Sequence, residues 1–287
     1  MFDMFQLPFM VQAFAAAIVT GLLLSYLGVH VVGRGIVFVD LALGQISSLG
    51  VAFAAFIGTG VTSIPLIFTL AGALLMSFIN IRDKRLKQEA IIGILYAFTS
   101  ALTVLLISKT PHGDSDIQEV LFGNILSYNF MEDPLHSAFW NIIRNDMVIV
   151  FTAIAVVHIV FFRKFFALTK SFENGENHLI GIFNFWNFLF YISIGLAIVF
   201  AVKINGVIPV FSFLIIPAVS AIMMTKSNKW VFVISFIISI LASFFGLLLS
   251  FKKDFPAGSS IVAILGGIFI LASVYKIITS IVVKAKA

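Results

Sequence analysis

Residues 34–53 read RGIVFVDLALGQISSLGVAF, a run that is apolar or small almost throughout, with Asp40 and Gln45 set in its middle. About 20 such residues are enough to cross the hydrocarbon layer of a bilayer. An ionised aspartate at mid-bilayer costs about 2.5–3.5 kcal/mol, so one that is kept there usually marks a pathway or has a partner. Two readings of Asp40 compete. It faces an ion path, or it lies nearer the inner surface and pairs with Arg34. Gln45 has its own alternative, a hydrogen bond to a neighbouring helix.

The rest of the chain has the same character. Of its 287 residues 61% are hydrophobic and only 11% are charged, and the mean hydropathy is +1.12. Soluble domains carry about 25% charged residues. Apolar runs recur from end to end, leaving no room for a folded soluble domain. The expectation is an all-α, polytopic membrane protein. Cysteine is absent, which removes disulfides, thiolate metal sites and cysteine nucleophiles together. The amino end, MFDMFQLPFM, has no basic residue before its apolar run, unlike a cleaved signal peptide.

About nine spans are expected, near 8–32, 36–58, 62–81, 89–108, 146–162, 180–203, 205–225, 229–250 and 258–282, with eight as the alternative count. Loop charges orient them. With the amino terminus outside, twelve of the eighteen basic residues fall in the cytoplasm, among them Arg34, Arg82, Lys84, Arg85, Lys87, Arg163, Lys164 and Lys170. Only Lys109, Arg144, Lys203, Lys252 and Lys253 fall outside. This is the bias of the positive-inside rule. It also accounts for the net charge of +5 without invoking nucleic acid. The carboxyl terminus is then cytoplasmic.

Motifs of catalysis are missing. The sequence contains no G-x-x-x-x-G-K-[ST] phosphate loop and no H-E-x-x-H, and its five histidines are scattered. This chain is not expected to be an enzyme. Two polar segments remain. RKFFALTKSFENGENHLIGI, Arg163–Ile182, is longer than a turn requires and carries Glu173, Glu176 and His178; a short amphipathic helix on the membrane face competes with a solvated loop. On the outside, His112, Asp114, Asp116 and Glu119 offer oxygen and imidazole ligands, but a single loop rarely builds a stable metal site, and a surface loop is the preferred reading. NGVIPVFSFLIIPAVSA, Asn205–Ala221, holds Pro209 and Pro217, which bend helices; a bent helix whose Ser212 and Ser220 line a pathway competes with ordinary kinked packing. A faint echo links GLLLSYLGVHVVGRGIVFVDLALGQ to this region, each a helix broken at glycine.

Three segments together resemble the zinc/manganese-type permeases of ATP-binding-cassette (ABC) importers. They are GRGIVFVDLALGQISSLGVAFA, then EAIIGILYAFTSALTVLLIS with DIQEVLFGNILSY, then SFENGENHLIGI running on to GLAIVFAVKINGVIPVFSFLIIPAVSAIM. The resemblance implies a type II ABC importer permease fold, with residues 1–287 as one permease domain in a bacterial inner membrane. It implies a homodimer around a central path, two copies of a separate ATPase that uses the ATP, and an extracytoplasmic solute-binding protein. The cargo would be a divalent ion, zinc or manganese, with no covalently bound cofactor. Residues 163–182, with Glu173, Glu176 and His178, take the place of the coupling segment, and 109–145 that of an outer loop. Asp40, Gln45, Ser47, Ser212, Pro217 and Ser220 are the candidate path residues, Asp40 and Gln45 also the candidate metal ligands. Family members typically carry an aspartate followed four residues later by histidine. Those positions are Leu41 and Gln45 here, and the carboxylate stands one place earlier, at Asp40. Two other functions remain: the same architecture with a different small substrate, and a gradient-driven secondary transporter.

Overall fold

A computed structural model of the chain describes residues 3–58, 63–79, 88–109, 146–176 and 184–286. Among these residues ten α-helices follow a short 3-10 turn at Asp3–Gln6. They are α1 (Pro8–Arg34), α2 (Val39–Phe56), α3 (Ser63–Phe78), α4 (Gln88–Ile107), α5 (Asp146–Val160), α6 (Phe162–Glu173), α7 (Phe185–Asn205), α8 (Val207–Met224), α9 (Asn228–Lys253) and α10 (Ala257–Lys286). Each of the nine expected spans falls on one of these helices, and the additional element is α6. No strand occurs among the described residues. The all-α polytopic reading holds.

Among the described residues seven helices, α1, α2, α4, α7, α8, α9 and α10, are long and apolar enough to cross a membrane. The 18 residues of α2 rise about 27 Å at 1.5 Å each, close to the thickness of the hydrocarbon core. With 16 and 15 residues, α3 and α5 fall short of that length. Apolar composition overstates them because it counts residues rather than helical turns. A bend of 77° joins α5 to α6, and counting the pair as one span gives eight. The basic loop 82–87, the outer loop from 110 to 145, His178 and the rest of 177–182 lie outside the described residues.

Local chemistry sets several helix ends. Asn184 caps α7, its side-chain oxygen accepting from the Asn187 amide at 3.0 Å, as an N-cap asparagine should. The breaks in the two echoing segments both fall on a glycine in the left-handed region, Gly35 at φ +66° and Gly206 at φ +80°, a conformation open to glycine at no steric cost. Pro209 stands in the first turn of α8, where its missing N–H would have no helical partner anyway. Pro217 lies inside α8, which continues through it as one helix.

Buried hydroxyls turn back onto their own helices. Ser48 donates to the Gly44 carbonyl (2.9 Å), Thr69 to Pro65 (2.8 Å), Ser193 to Leu189 (2.8 Å), Ser239 to Ser235 (3.0 Å) and Ser243 to Ser239 (2.8 Å). Bonds to the carbonyl one turn back satisfy a polar side chain where no water is available.

The chain forms two compact units. One holds the described residues of Met1–Val32 and Ile208–Ala287, the other those of Gly33–Gly123 and Ile142–Val207. In the first, α9 packs along α10, and α1 approaches α8 so closely that the Gly28 Cα lies against the Leu214 carbonyl, leaving no space for a Cβ. Ser235 of α9 donates to the Pro217 carbonyl of α8 at 3.2 Å. In the second unit, α2 packs against α3, α4 and α7, while α3 also packs on α7.

Candidate functional site

Asp40 is the second residue of α2 and only 3% exposed. Its position has a physical reason. Phe38 precedes the helix without a side-chain cap, so the free amides of the first turn present positive charge. The Asp40 and Leu41 amides lie beside the carboxylate without meeting hydrogen-bond geometry, and neither carboxylate oxygen has a partner among the described residues. Arg34 is engaged elsewhere. Its Nε donates to Thr169 Oγ1 at 3.2 Å, its Nη1 to Asn187 Oδ1 at 3.1 Å, and its Cζ stands 3.5 Å from the centre of the Phe190 ring. The structure therefore gives Asp40 no ion pair with Arg34.

Five residues on, Gln45 sits about 140° around the helix from Asp40. It is 8% exposed. Ser47, seven residues from Asp40, returns to within about 20° of it and is also buried. Gly44 lies between them, where a Cβ would meet only the Val207 methyls at 3.6 and 3.8 Å. One face of α2 thus carries a carboxylate, a glycine and a hydroxyl, and Gln45 points away from it.

Ser212, Pro217 and Ser220 belong to α8, in the other unit. Ser212 is buried and bonded to the Ile208 carbonyl at 2.9 Å. Ser220 is fully buried, and its hydroxyl has no partner among the described residues. Pro217 accepts from Ser235 through its carbonyl. Glu173 ends α6 and is exposed, with Oε1 2.7 Å from where a Gly33 Cβ would stand. Glu176 is exposed and accepts from Ser171 Oγ at 3.4 Å.

No group of three or more metal-ligating side chains occurs among the described residues. What α2 offers is a single buried carboxylate at a helix start. It can draw a cation and share its shell with water, but it cannot enclose it. The sequence reading missed the Arg34 cluster, in which α1, α6 and α7 meet, because a basic residue at a span end reads as an orientation signal. It also missed two neighbouring bonds, from Val37 N to Glu89 Oε1 at 3.2 Å and from Gln88 Nε2 to the Tyr191 hydroxyl at 2.8 Å.

The model of the ABC-3 family, described as the ABC 3 transport family, matches residues 6–276. The chain belongs to the ABC-3 family. Its relatives include the chelated iron transport system membrane protein YfeD of Yersinia pestis, 27% identical, with 95% of this chain and 87% of the relative covered. Another is the manganese import system permease protein ScaB of Streptococcus gordonii, 27% identical over 92% of this chain and 90% of the relative. Among solved structures, PsaBC from Streptococcus pneumoniae in complex with Fab is similar at a TM-score of 0.71 and 25% identity, covering 93% of this chain and 91% of that one. The kinship with metal-type ABC importer permeases read from three segments holds. As an ABC-3 member the chain is a multi-pass transport protein rather than a catalyst.

Proposed function

We propose that this chain is the permease subunit of an ATP-driven importer of a divalent metal ion in a bacterial inner membrane. Two copies would enclose the path, two copies of a separate ATPase would dock at the cytoplasmic face, and an extracytoplasmic solute-binding protein would deliver the ion. The amino terminus lies outside and the carboxyl terminus inside, as the loop charges require. The observation that carries the reading is Asp40, a buried carboxylate without an ion-pair partner at the start of α2, in a chain of this family. Manganese is favoured over zinc as cargo. The carboxylate of Asp40 supplies oxygen donors, which suit manganese, and the imidazole that would favour zinc is missing from α2. The relative named for manganese import supports the same choice.

Glu173 and Glu176 at the exposed end of α6, with His178 beyond them, form the proposed contact with the ATPase, within the segment 163–182. The test is reconstitution of the permease with its ATPase and binding protein in liposomes loaded with a metal-sensitive dye. ATP-dependent manganese entry that exceeds zinc entry supports the proposal. Metal entry that persists without the ATPase and follows a proton or sodium gradient replaces it with the secondary-transport reading. ATP-driven transport that ignores both metals leaves the architecture and moves the substrate to another class.

A further inference from the structure

We propose that Arg34 is a positioning residue that fastens the ATPase-facing helix α6 to the start of the Asp40-bearing helix α2, so that movement of one is felt at the other. The inference rests on the coupling role proposed for the segment that α6 opens.

Gly33 and Arg34 act as a seat and a clamp. A Cβ at Gly33 would stand 2.7 Å from both Thr169 Cγ2 and Glu173 Oε1, so α6 rests directly on the last turn of α1. The next residue grips it. Arg34, 6% exposed, donates from Nε to Thr169 of α6 and from Nη1 to Asn187 of α7, and its guanidinium lies over Phe190 with Phe172 of α6 5.6 Å away. The Thr169 hydroxyl spends its own proton on the Phe165 carbonyl, at 3.0 Å. Its oxygen is thereby left to accept from Arg34 and has no freedom to turn away.

The corner that follows is short. Five residues separate Arg34 from Asp40, and Glu89 of α4 holds the Val37 amide within that turn. Three helices, α4, α6 and α7, are therefore bonded to the few residues that lead from the end of α1 into α2. A planar, permanently charged fork reaches two acceptors on different helices at once and stacks on a ring; a lysine ammonium offers a point charge without that geometry. A merely structural arginine would stabilise the fold. A positioning arginine also sets how much metal moves for each ATP consumed.

The measurement is metal transported per ATP hydrolysed by the reconstituted complex of permease, ATPase and binding protein, compared at equal amounts of assembled complex. Arg34→Met should lower that ratio about tenfold, within the usual range of coupling between sites. Arg34→Lys should recover only part of it, and Thr169→Val, which removes one acceptor at nearly constant volume, should lower it in the same direction by less. The double variant should be no worse than Arg34→Met alone, since both break one linkage. A normal ratio in assembled Arg34→Met overturns the inference. If that variant does not assemble, Thr169→Val decides, and a normal ratio there overturns it equally. The charge reversal Glu173→Lys with Glu176→Lys separates the two proposals. Normal coupling in it removes the docking segment and this inference together, whereas uncoupling there beside a normal Arg34→Met removes the clamp alone.

Discussion

Gly28→Ala tests the packing of the unit built from α1, α8, α9 and α10. The added methyl would fall within bonding range of the Leu214 carbonyl oxygen and 2.8 Å from its carbon. Ordinary carbon contacts begin near 3.5 Å, so α1 and α8 must part by roughly 1 Å. The obstacle is backbone and cannot rotate aside. Overpacking of this kind costs about 1–3 kcal/mol, and this position belongs at the upper end. Parting also loosens the contacts around the fully buried Leu24, Leu27 and Leu214, because a gap of 0.5–1 Å forfeits about a quarter to a half of each contact's attraction. Against this, alanine gains about 0.8–1.0 kcal/mol of helix propensity over glycine. The net loss is about 2 kcal/mol or more.

Gly267→Ala is the matched control, because nothing stands within 4 Å of its added methyl. The assay is the half-life of the monodisperse, detergent-solubilised protein on heating, read by gel filtration, since membrane proteins unfold irreversibly and are ranked by rate. Gly28→Ala should lose its monodisperse peak first, with Gly267→Ala equal to or longer-lived than the unaltered protein. Gly28→Ala as durable as the control would refute the close approach of the two helices.

Asp40→Asn should depress metal uptake per assembled complex while leaving assembly intact or firmer, since the cost of burying an unpaired carboxylate disappears; uptake at the normal rate would remove Asp40 from the path. Gln45→His places an imidazole about 140° around α2 from Asp40 and should leave the competition between the two metals unchanged; a shift toward zinc in mixed-metal uptake would put this residue beside the ion. In a chain without cysteine, Ser115→Cys should be modified by an impermeant thiol reagent on intact cells and Ser171→Cys only after permeabilisation. The reverse pattern would invert the orientation.

Helix content was legible because hydrocarbon imposes it: a run must be long, apolar and hydrogen-bonded within itself. Legibility failed where one residue serves several elements. Arg34 reads from sequence as an orientation charge, and its partners Thr169 and Asn187 lie 135 and 153 residues away. His158, expected as one scattered histidine, stacks flat on Phe165, with centroids 4.0 Å apart and an angle of 8°, a contact between two helices that their sequences do not signal. The shortness of α3 and α5 was hidden because flanking apolar residues extend a hydropathy run past the helix end. Asp40 was conspicuous for its type, but only the start of α2 at Val39 reveals the first-turn amides beside it. The helical repeat separates Gln45 from it in the sequence and in the structure alike.

The back-turned hydroxyls have a mechanical consequence. A serine that donates to its own helix, as Ser48, Ser193, Ser239 and Ser243 do, fills space between helices without tying them to one another. Those contacts resist separation through shape and resist sliding only weakly. In the unit that contains α2 to α7, the interhelical bonds of Arg34, Glu89 and Gln88 gather near the shared end where α1 stops and α2, α4 and α7 begin. A bundle pinned at one end and lubricated along its length behaves like a fan. Small rotations at the pin spread into larger displacements at the free tips, with no hydroxyl bond of this kind broken on the way.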